Sequence, residues 1–315
     1  MQYTLLGRTG IRVSRFCFGT LTMGPLQARL PVKAGAALLV EAASRGVNFI
    51  DSAELYRTYT YIREMLKKVP REGLVIASRS YAYTYEGMEE SLRRALKEIG
   101  TGWIDIFLLH EQESRMTLKG HREALRFLLD AKARGLVRAV GISTHYVEAV
   151  VAASEMDEID VIHPLINMKG IGLRGGTVGE MEEAIALANE RGKGIYSMKA
   201  LGGGNLLSQI QEAFQFVLDN PNIHSIAVGV KSREELEVDL RIFEGLEVPE
   251  GTFERTRRYK SLLIESWCSG CGTCVERCRY GALQVVKGRA RVDPSKCILC
   301  GYCGASCPQV CIKVV

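Results

Sequence analysis

The 315 residues contain no uninterrupted run of 18 apolar positions, so no membrane-spanning helix is expected. The first residues, Met1-Gln2-Tyr3-Thr4, lack a basic stretch leading into an apolar one. No secretory leader is expected from this, and a cytoplasmic location is. No G-x-G-x-x-G turn follows an early strand-like run, which weighs against a doubly wound dinucleotide fold. Cysteine is almost missing from most of the chain: of ten cysteines, only Cys17 precedes residue 267. The other nine crowd into the last 49 residues, at spacings that point to metal rather than to the disulfide framework of a secreted domain.

What is present suits one large domain and one small one. Hydrophobic residues make up 47% of the chain, and charged residues an ordinary 24%. The net charge is +5. From 267 to 315 there are seven cations (Arg277, Arg279, Lys287, Arg289, Arg291, Lys296 and Lys313) against Glu276 and Asp293, so this excess sits in the C-terminal segment. Two thiolate-ligated cubanes would each carry about −2. The basic residues then read as local counter-charge, and no nucleic-acid partner is expected.

The cysteines form two runs: Cys268-x2-Cys271-x2-Cys274-x3-Cys278, and Cys297-x2-Cys300-x2-Cys303-x3-Cys307 followed by Pro308. Each cysteine of the second lies 29 positions after its counterpart, as do Gly301 after Gly272 and Ile312 after Leu283. This is an internal repeat, and it predicts two pseudo-symmetric halves. Three thiolates two residues apart wrap one face of a [4Fe–4S] cube, and the fourth reaches across to the other cube in two-cluster ferredoxins. One cluster is therefore assigned Cys268, Cys271, Cys274 and Cys307, the other Cys297, Cys300, Cys303 and Cys278. Zinc knuckles use paired rather than triple C-x2-C runs. The stretch resembles the bacterial two-cluster ferredoxins, with Arg279 standing where a proline often follows the fourth cysteine. Cys311 is left over. Its repeat counterpart is Ala282, which marks it as a small buried structural residue.

Residues 1–248 alternate short apolar runs with helical patterns. The runs expected as strands are 15–20, 47–53, 74–79, 103–110, 138–143, 161–167, 194–199 and 225–230. Met88, Leu92, Ala95, Leu96 and Ile99 keep helical spacing between two of them. Eight strand–helix units in about 250 residues predict a (β/α)8 barrel, α/β in class, with a small C-terminal α+β module at 267–315. A connection at 249–266 joins them, expected to be helical from Thr252 to Ile264. Catalytic groups of such barrels sit at the C-terminal ends of strands. The candidates there are Asp51, Tyr56 just beyond, Arg79 and His110.

Several motifs in order resemble the aldo-keto reductase family, in its branch fused to a ferredoxin domain. Leu6-Gly7-Arg8-Thr9-Gly10 resembles the family's N-terminal hairpin. Gly46-Val47-Asn48-Phe49-Ile50-Asp51-Ser52-Ala53-Glu54-Leu55-Tyr56 resembles its Asp…Tyr motif, and Asp105-Ile106-Phe107-Leu108-Leu109-His110 its His motif. The resemblance implies a tetrad of Asp51, Tyr56, His110 and a lysine whose position is held by Arg79. It makes Tyr56 the proton donor to a substrate carbonyl, beside a cation that lowers its pKa. An arginine supplies the charge but is planar and forked, so Asp51–Arg79 also reads as a pair bracing the barrel mouth.

The resemblance further implies a nicotinamide pocket at Ser143, Thr144, His163 and Tyr196, of which Ser143 and Tyr196 match the family pattern. Tyr196 reads equally as a core tyrosine, or as a platform for another flat ring. Lys231, Ser232 and Arg233 resemble a dinucleotide-phosphate segment, with Glu235 and Asp239 where adenosine contacts fall. NADP(H) is expected on that basis. The same residues read as a capped surface helix, with Ser232 as cap and Glu235 completing a capping box. Nicotinamide moves hydride and a [4Fe–4S] cluster moves one electron, so a flavin or other splitter normally intervenes between them; the sequence shows no convincing flavin motif, although barrel mouths bind flavin phosphates without strong signatures. Two functions follow. One is an iron–sulfur oxidoreductase acting on a small carbonyl or redox substrate. The alternative is an electron-transfer subunit of a larger redox complex, with flavin in the barrel. Either predicts a redox protein partner for the basic module.

Overall fold

The computed structural model describes residues 1–249, 251–257 and 260–315, with the side chains of 254, 255 and 257 outside the description. Eight parallel strands close into a barrel: β1 (Phe16–Gly19), β2 (Phe49–Asp51), β3 (Val75–Ser80), β4 (Ile104–Leu109), β5 (Val137–Thr144), β6 (Val161–Pro164), β7 (Gly194–Met198) and β8 (Ser225–Gly229). They lie in sequence order, with β8 pairing back onto β1. Each coincides with one of the eight apolar runs. The runs are apolar throughout because a parallel barrel strand is buried on both faces.

Helices cover the outside. The helix α1 (Tyr85–Ile99) shows how local signals set one: the Thr84 hydroxyl accepts from the Gly87 amide at 3.0 Å, and left-handed Gly100 ends it. Its Met88, Leu92, Ala95 and Ile99 are buried against the strands. The hairpin Tyr3–Leu5/Arg12–Ser14 supplies Leu6, Ile11 and Val13, which pack with Cys17, Phe49, Val75, Ile106, Ala139, Val161 and Tyr196. The barrel interior is thus a filled core, and chemistry is confined to its C-terminal mouth. Among the described residues no helix is long and apolar enough to cross a membrane.

After β8, helix α2 (Arg233–Phe243) is followed by a short helix, α3 (Thr252–Arg257), packed against it. The helix expected through residue 264 does not continue. Residues 258 and 259 lie outside the described residues, and Leu262–Ile264 is a strand, β9. It pairs antiparallel with β12 (Ile312–Val314), Leu262 opposite Val314 and Ile264 opposite Ile312. Tertiary pairing with the end of the chain overrides the local helical pattern.

The C-terminal module obeys its repeat. Short helices α4 (Thr273–Arg277) and α5 (Tyr302–Ala305) each begin after a left-handed glycine, Gly272 and Gly301. Leu283 opens β10 (Leu283–Val286), which forms a hairpin with β11 (Arg289–Val292), and its repeat mate Ile312 opens β12. The module sits on the loop after β7. The Val314 amide donates to the Gly203 carbonyl at 3.0 Å, and Asn205 Nδ2 donates to the Ile312 carbonyl at 3.2 Å. Gly204 lets this happen: its φ is +83°, and a Cβ there would overlap the Val314 carbonyl oxygen.

Candidate functional site

Asp51 ends β2, Arg79 lies near the end of β3, and His110 follows β4, so three successive strands deliver them to one mouth. Tyr56 ends a 3-10 turn, Glu54–Tyr56, just past β2. The structure brings all four together. Arg79 donates from both terminal nitrogens to Asp51, at 2.6 and 2.9 Å, and from Nη2 to the Tyr56 hydroxyl at 2.8 Å. The planar fork thus serves both partners at once, which an ammonium would do with a different geometry. Asp51 and Arg79 are almost wholly buried. Burial opposes the Arg79 charge, yet Asp51, Tyr56 and Tyr196 raise its pKa well above the ordinary value. Truncating Asp51 to alanine will leave an uncompensated buried guanidinium and cost about 3–5 kcal/mol of stability. Chemical denaturation measures this, and a loss under about 1 kcal/mol would show that the pair only decorates the mouth.

Tyr56 is held protonated. Burial raises its pKa, and Arg79 pulls it partly back. Arginine only donates, so the phenolic oxygen accepts from Arg79 and its own hydrogen is free for a ligand oxygen. The His110 ring stands edge-on to Tyr56, centroids 6.2 Å apart. Burial, then Arg79, depress its pKa well below the usual value, so it is neutral, and its buried Nδ1 has no partner among the described residues. Tyr81 stacks on it at 4.1 Å and donates to Glu111 at 2.6 Å. Burial and then Glu111 raise the Tyr81 pKa, keeping that donor loaded.

The residues expected to cradle a nicotinamide are buried and engaged with the chain itself. Ser143 Oγ accepts from the Glu111 amide at 3.0 Å, and Thr144 Oγ1 from the Tyr146 amide at 2.9 Å. Tyr196 donates to Asp51 at 3.1 Å; its ring is fully buried, tilted against Phe49 and stacked on His163 at 3.9 Å. A nicotinamide has no free Tyr196 face to stack on. His163 keeps one buried nitrogen, Nε2, without a partner, and burial pushes its pKa down to about 3, so it is neutral.

The residues expected around an adenosine phosphate form the capped helix. Ser232 Oγ accepts from the Glu235 amide at 3.2 Å, and Glu235 Oε2 accepts from the Lys231 amide at 2.9 Å. Arg233 pairs with Glu41 at 2.8 Å. Glu235 Oε1 binds Lys260 of the connection at 2.5 Å, with both side chains over nine-tenths buried. Asp239 lies beneath, its pKa raised well above the usual carboxylate range by burial and then by Glu235. The chain's own lysine therefore sits on the carboxylate expected to meet a cofactor, so these residues do not fit an extended dinucleotide as they stand.

The cysteines line two hollows. One is bordered by Cys268, Cys271, Cys274 and Cys307, the other by Cys278, Cys297, Cys300 and Cys303. Amides already point at the sulfurs, Ala290 N to Cys268 at 3.5 Å and Ala282 N to Cys278 at 3.4 Å. A thiolate-lined hollow with donors aimed at sulfur is the donor set an iron–sulfur cube requires. Cys311 is buried, as expected for the counterpart of Ala282, and its sulfur lies 3.4 Å from Cys307 on the edge of the first hollow.

Sequence reasoning passed over Tyr81, Glu111, His145, Lys199 and Lys260. Glu111, His145 and Lys199 all follow strand ends, a position that a barrel makes suspect. Lys260 carries no such signal.

Comparison with known proteins bears on the family and the fold. A 6-dehydroglucose reductase of Novosphingobium aromaticivorans is 27% identical over 71% of this chain and 77% of its own. An L-galactose dehydrogenase of Arabidopsis thaliana is 21% identical over 78% of this chain and 89% of its own. A solved Bacillus halodurans aldo-keto reductase, 16% identical, superposes with a TM-score of 0.67 over 82% of this chain and 96% of that one, a likeness of fold. The 4Fe-4S dicluster domain model matches residues 261–309. The Aldo/keto reductase family model matches residues 15–216, and the chain belongs to that family, with a 4Fe-4S dicluster domain attached at its C-terminal end.

Proposed function

We propose that the protein is an iron–sulfur oxidoreductase that interconverts a small carbonyl compound and its alcohol at the barrel mouth, drawing on the module for electrons. The observation that carries this is the Arg79 fork: it fixes Asp51 and Tyr56 together and leaves the Tyr56 hydrogen free to be donated. Cys268, Cys271, Cys274 and Cys307 hold one cluster, and Cys297, Cys300, Cys303 and Cys278 the other, in line with the two hollows. When bound, each cluster supplies one electron at a time. Two centres match the two-electron demand of a carbonyl.

In this reading two electrons from the module and two protons would convert the carbonyl to its alcohol: Tyr56 gives one proton to the oxygen, and solvent supplies the one that ends on carbon. Arg79 stabilises the phenolate left behind, and Asp51 keeps Arg79 in place. Neutral His110 orients the oxygen, and Tyr81 screens it from water. Docking of the module on the loop after β7, at the mouth side of the barrel, brings the electron carrier to the substrate side. The test is carbonyl turnover by the chemically reduced, anaerobically purified protein and its Tyr56→Phe variant.

The Lys260–Glu235 pair and the covered Tyr196 ring favour a second reading, an electron-transfer subunit that uses no nicotinamide and holds a flavin at the mouth. A visible spectrum of the anaerobic protein decides it. Flavin bands above the broad iron–sulfur absorption carry the second reading, and their absence removes it.

A further inference from the structure

Beside the Tyr56 site lies a second set of charged groups. Lys199 follows β7 with φ of +60°, a left-handed backbone that costs a non-glycine residue about 1 kcal/mol or more. Glu111, after β4, is left-handed too, at +48°. Strain of this kind at two strand ends persists where the surrounding structure requires the side chain in that place. Lys199 Nζ lies 3.0 Å from His145 Nε2.

This lysine has no ion pair among the described residues. Nε2 accepts from the ammonium, so His145 is neutral, in keeping with a pKa pushed well below the usual value by burial and then by Lys199. The carboxylate closest at hand, Glu111, is 3.8 Å from His145 and already takes the Tyr81 hydroxyl. Lys313 of the module approaches from the other side, but its partner is Glu265 at 2.7 Å. Burial, then Lys313, lower the Lys199 pKa to about 8; Glu111 opposes them, and Arg79 and Arg174 add to the lowering. Cations withdrawn from water are ordinarily paired, and the hydrogen-bond partner of Lys199 is a neutral imidazole.

We propose that Lys199 and His145 form the binding site for a carboxylate on the substrate, so that the protein takes oxo acids in preference to neutral ketones and aldehydes. The proposal rests on the carbonyl reading above and supplies its substrate class. The Tyr56–Arg79 pair then works on the carbonyl while Lys199 holds the acid end. The site lies at the start of the loop after β7, the loop on which the module docks.

Equilibrium binding to the anaerobic holoprotein tests this with two matched pairs of probes: 2-oxobutanoate against butanone, and 4-oxopentanoate against 2-pentanone. At least one oxo acid is expected to bind about tenfold or more tighter than its neutral mate, the scale of a hydrogen-bonded charge pair. Lys199→Met should erase that margin and Lys199→Arg restore most of it, with cluster absorption unchanged in both as the check on folding. Equal binding of acid and neutral probes, or a margin that survives Lys199→Met, overturns the proposal. So does inorganic phosphate that competes better than acetate, which would make the occupant a phosphate compound. Tyr56→Phe separates the two readings. A Lys199-dependent margin without any carbonyl turnover leaves the anion site standing and removes the carbonyl reading. Carbonyl turnover that is no better for the oxo acids than for their neutral mates, and that is indifferent to Lys199→Met with both, does the reverse.

Discussion

Tyr56→Phe will lower carbonyl turnover by about two to four orders of magnitude, the usual contribution of a positioned general acid. The substitution removes one oxygen. The ring keeps its place edge-on to His110 and beneath the Arg79 guanidinium, 5.2 Å from the ring centroid. Arg79 keeps both bonds to Asp51, so the buried pair survives and the fold loses only about 1 kcal/mol from one orphaned donor. Cluster absorption should not change, because Tyr56 lies at the barrel mouth and the cysteines in the module. Burial holds Tyr56 protonated through neutral pH, so the wild-type acid is already loaded and the full loss appears at ordinary pH. Steady-state rates with chemically reduced protein measure it. A variant within about fivefold of wild type would show that the proton comes from elsewhere.

The second large effect concerns cluster content, and it separates crossed from uncrossed ligation. Cys278→Ala and Cys307→Ala should each destroy one cluster and drop iron from about eight to about four atoms per chain. The pairs are decisive. If Cys278 serves the second cluster, as the hollow lined by Cys278, Cys297, Cys300 and Cys303 implies, then Cys278→Ala with Cys297→Ala is no worse than either alone. Cys278→Ala with Cys274→Ala should empty both sites. Uncrossed ligation exchanges these results. The Cys274 environment supports the crossed form: burial raises its pKa, and the neighbouring sulfurs that add to it are Cys268, Cys307 and Cys271, three members of one crossed set. Iron analysis with electron paramagnetic resonance of the reduced protein reads the outcome.

The residues expected around a nicotinamide dinucleotide are engaged by the chain itself, and at Glu235 the partner comes from the connection. Lys260 is not part of the barrel, yet its ammonium occupies the Glu235 carboxylate. Ser232, read as either phosphate ligand or helix cap, is in fact the cap. His163 and Tyr196 sit side by side on β6 and β7, and they satisfy each other by stacking and by a 2.6 Å bond from His163 Nδ1 to the Tyr196 carbonyl. The family pattern marked where these residues stand without saying what would lie against them.

What could be read from the chain alone is what covalent spacing controls. Cysteines two residues apart can wrap a cube, and a 29-residue offset repeats the same backbone, down to left-handed Gly272 and Gly301 and to Leu283 and Ile312 opening corresponding strands. Eight doubly buried apolar runs separated by helical patterns have few packings besides a barrel, and order along the chain then places Asp51, Arg79 and His110 at one mouth. The tertiary structure decided everything that depends on partners distant in sequence. Leu262–Ile264 is a strand because Ile312–Val314 comes back to pair with it. Glu235 is occupied because Lys260 folds onto it, and Lys199 faces His145, 54 residues away, because the ends of β5 and β7, on either side of β6, converge at the rim. A short stretch of sequence carries its own periodicity and caps, but not the charge or ring that packing will set against it. Those contacts settled which candidate side chains remain free to act.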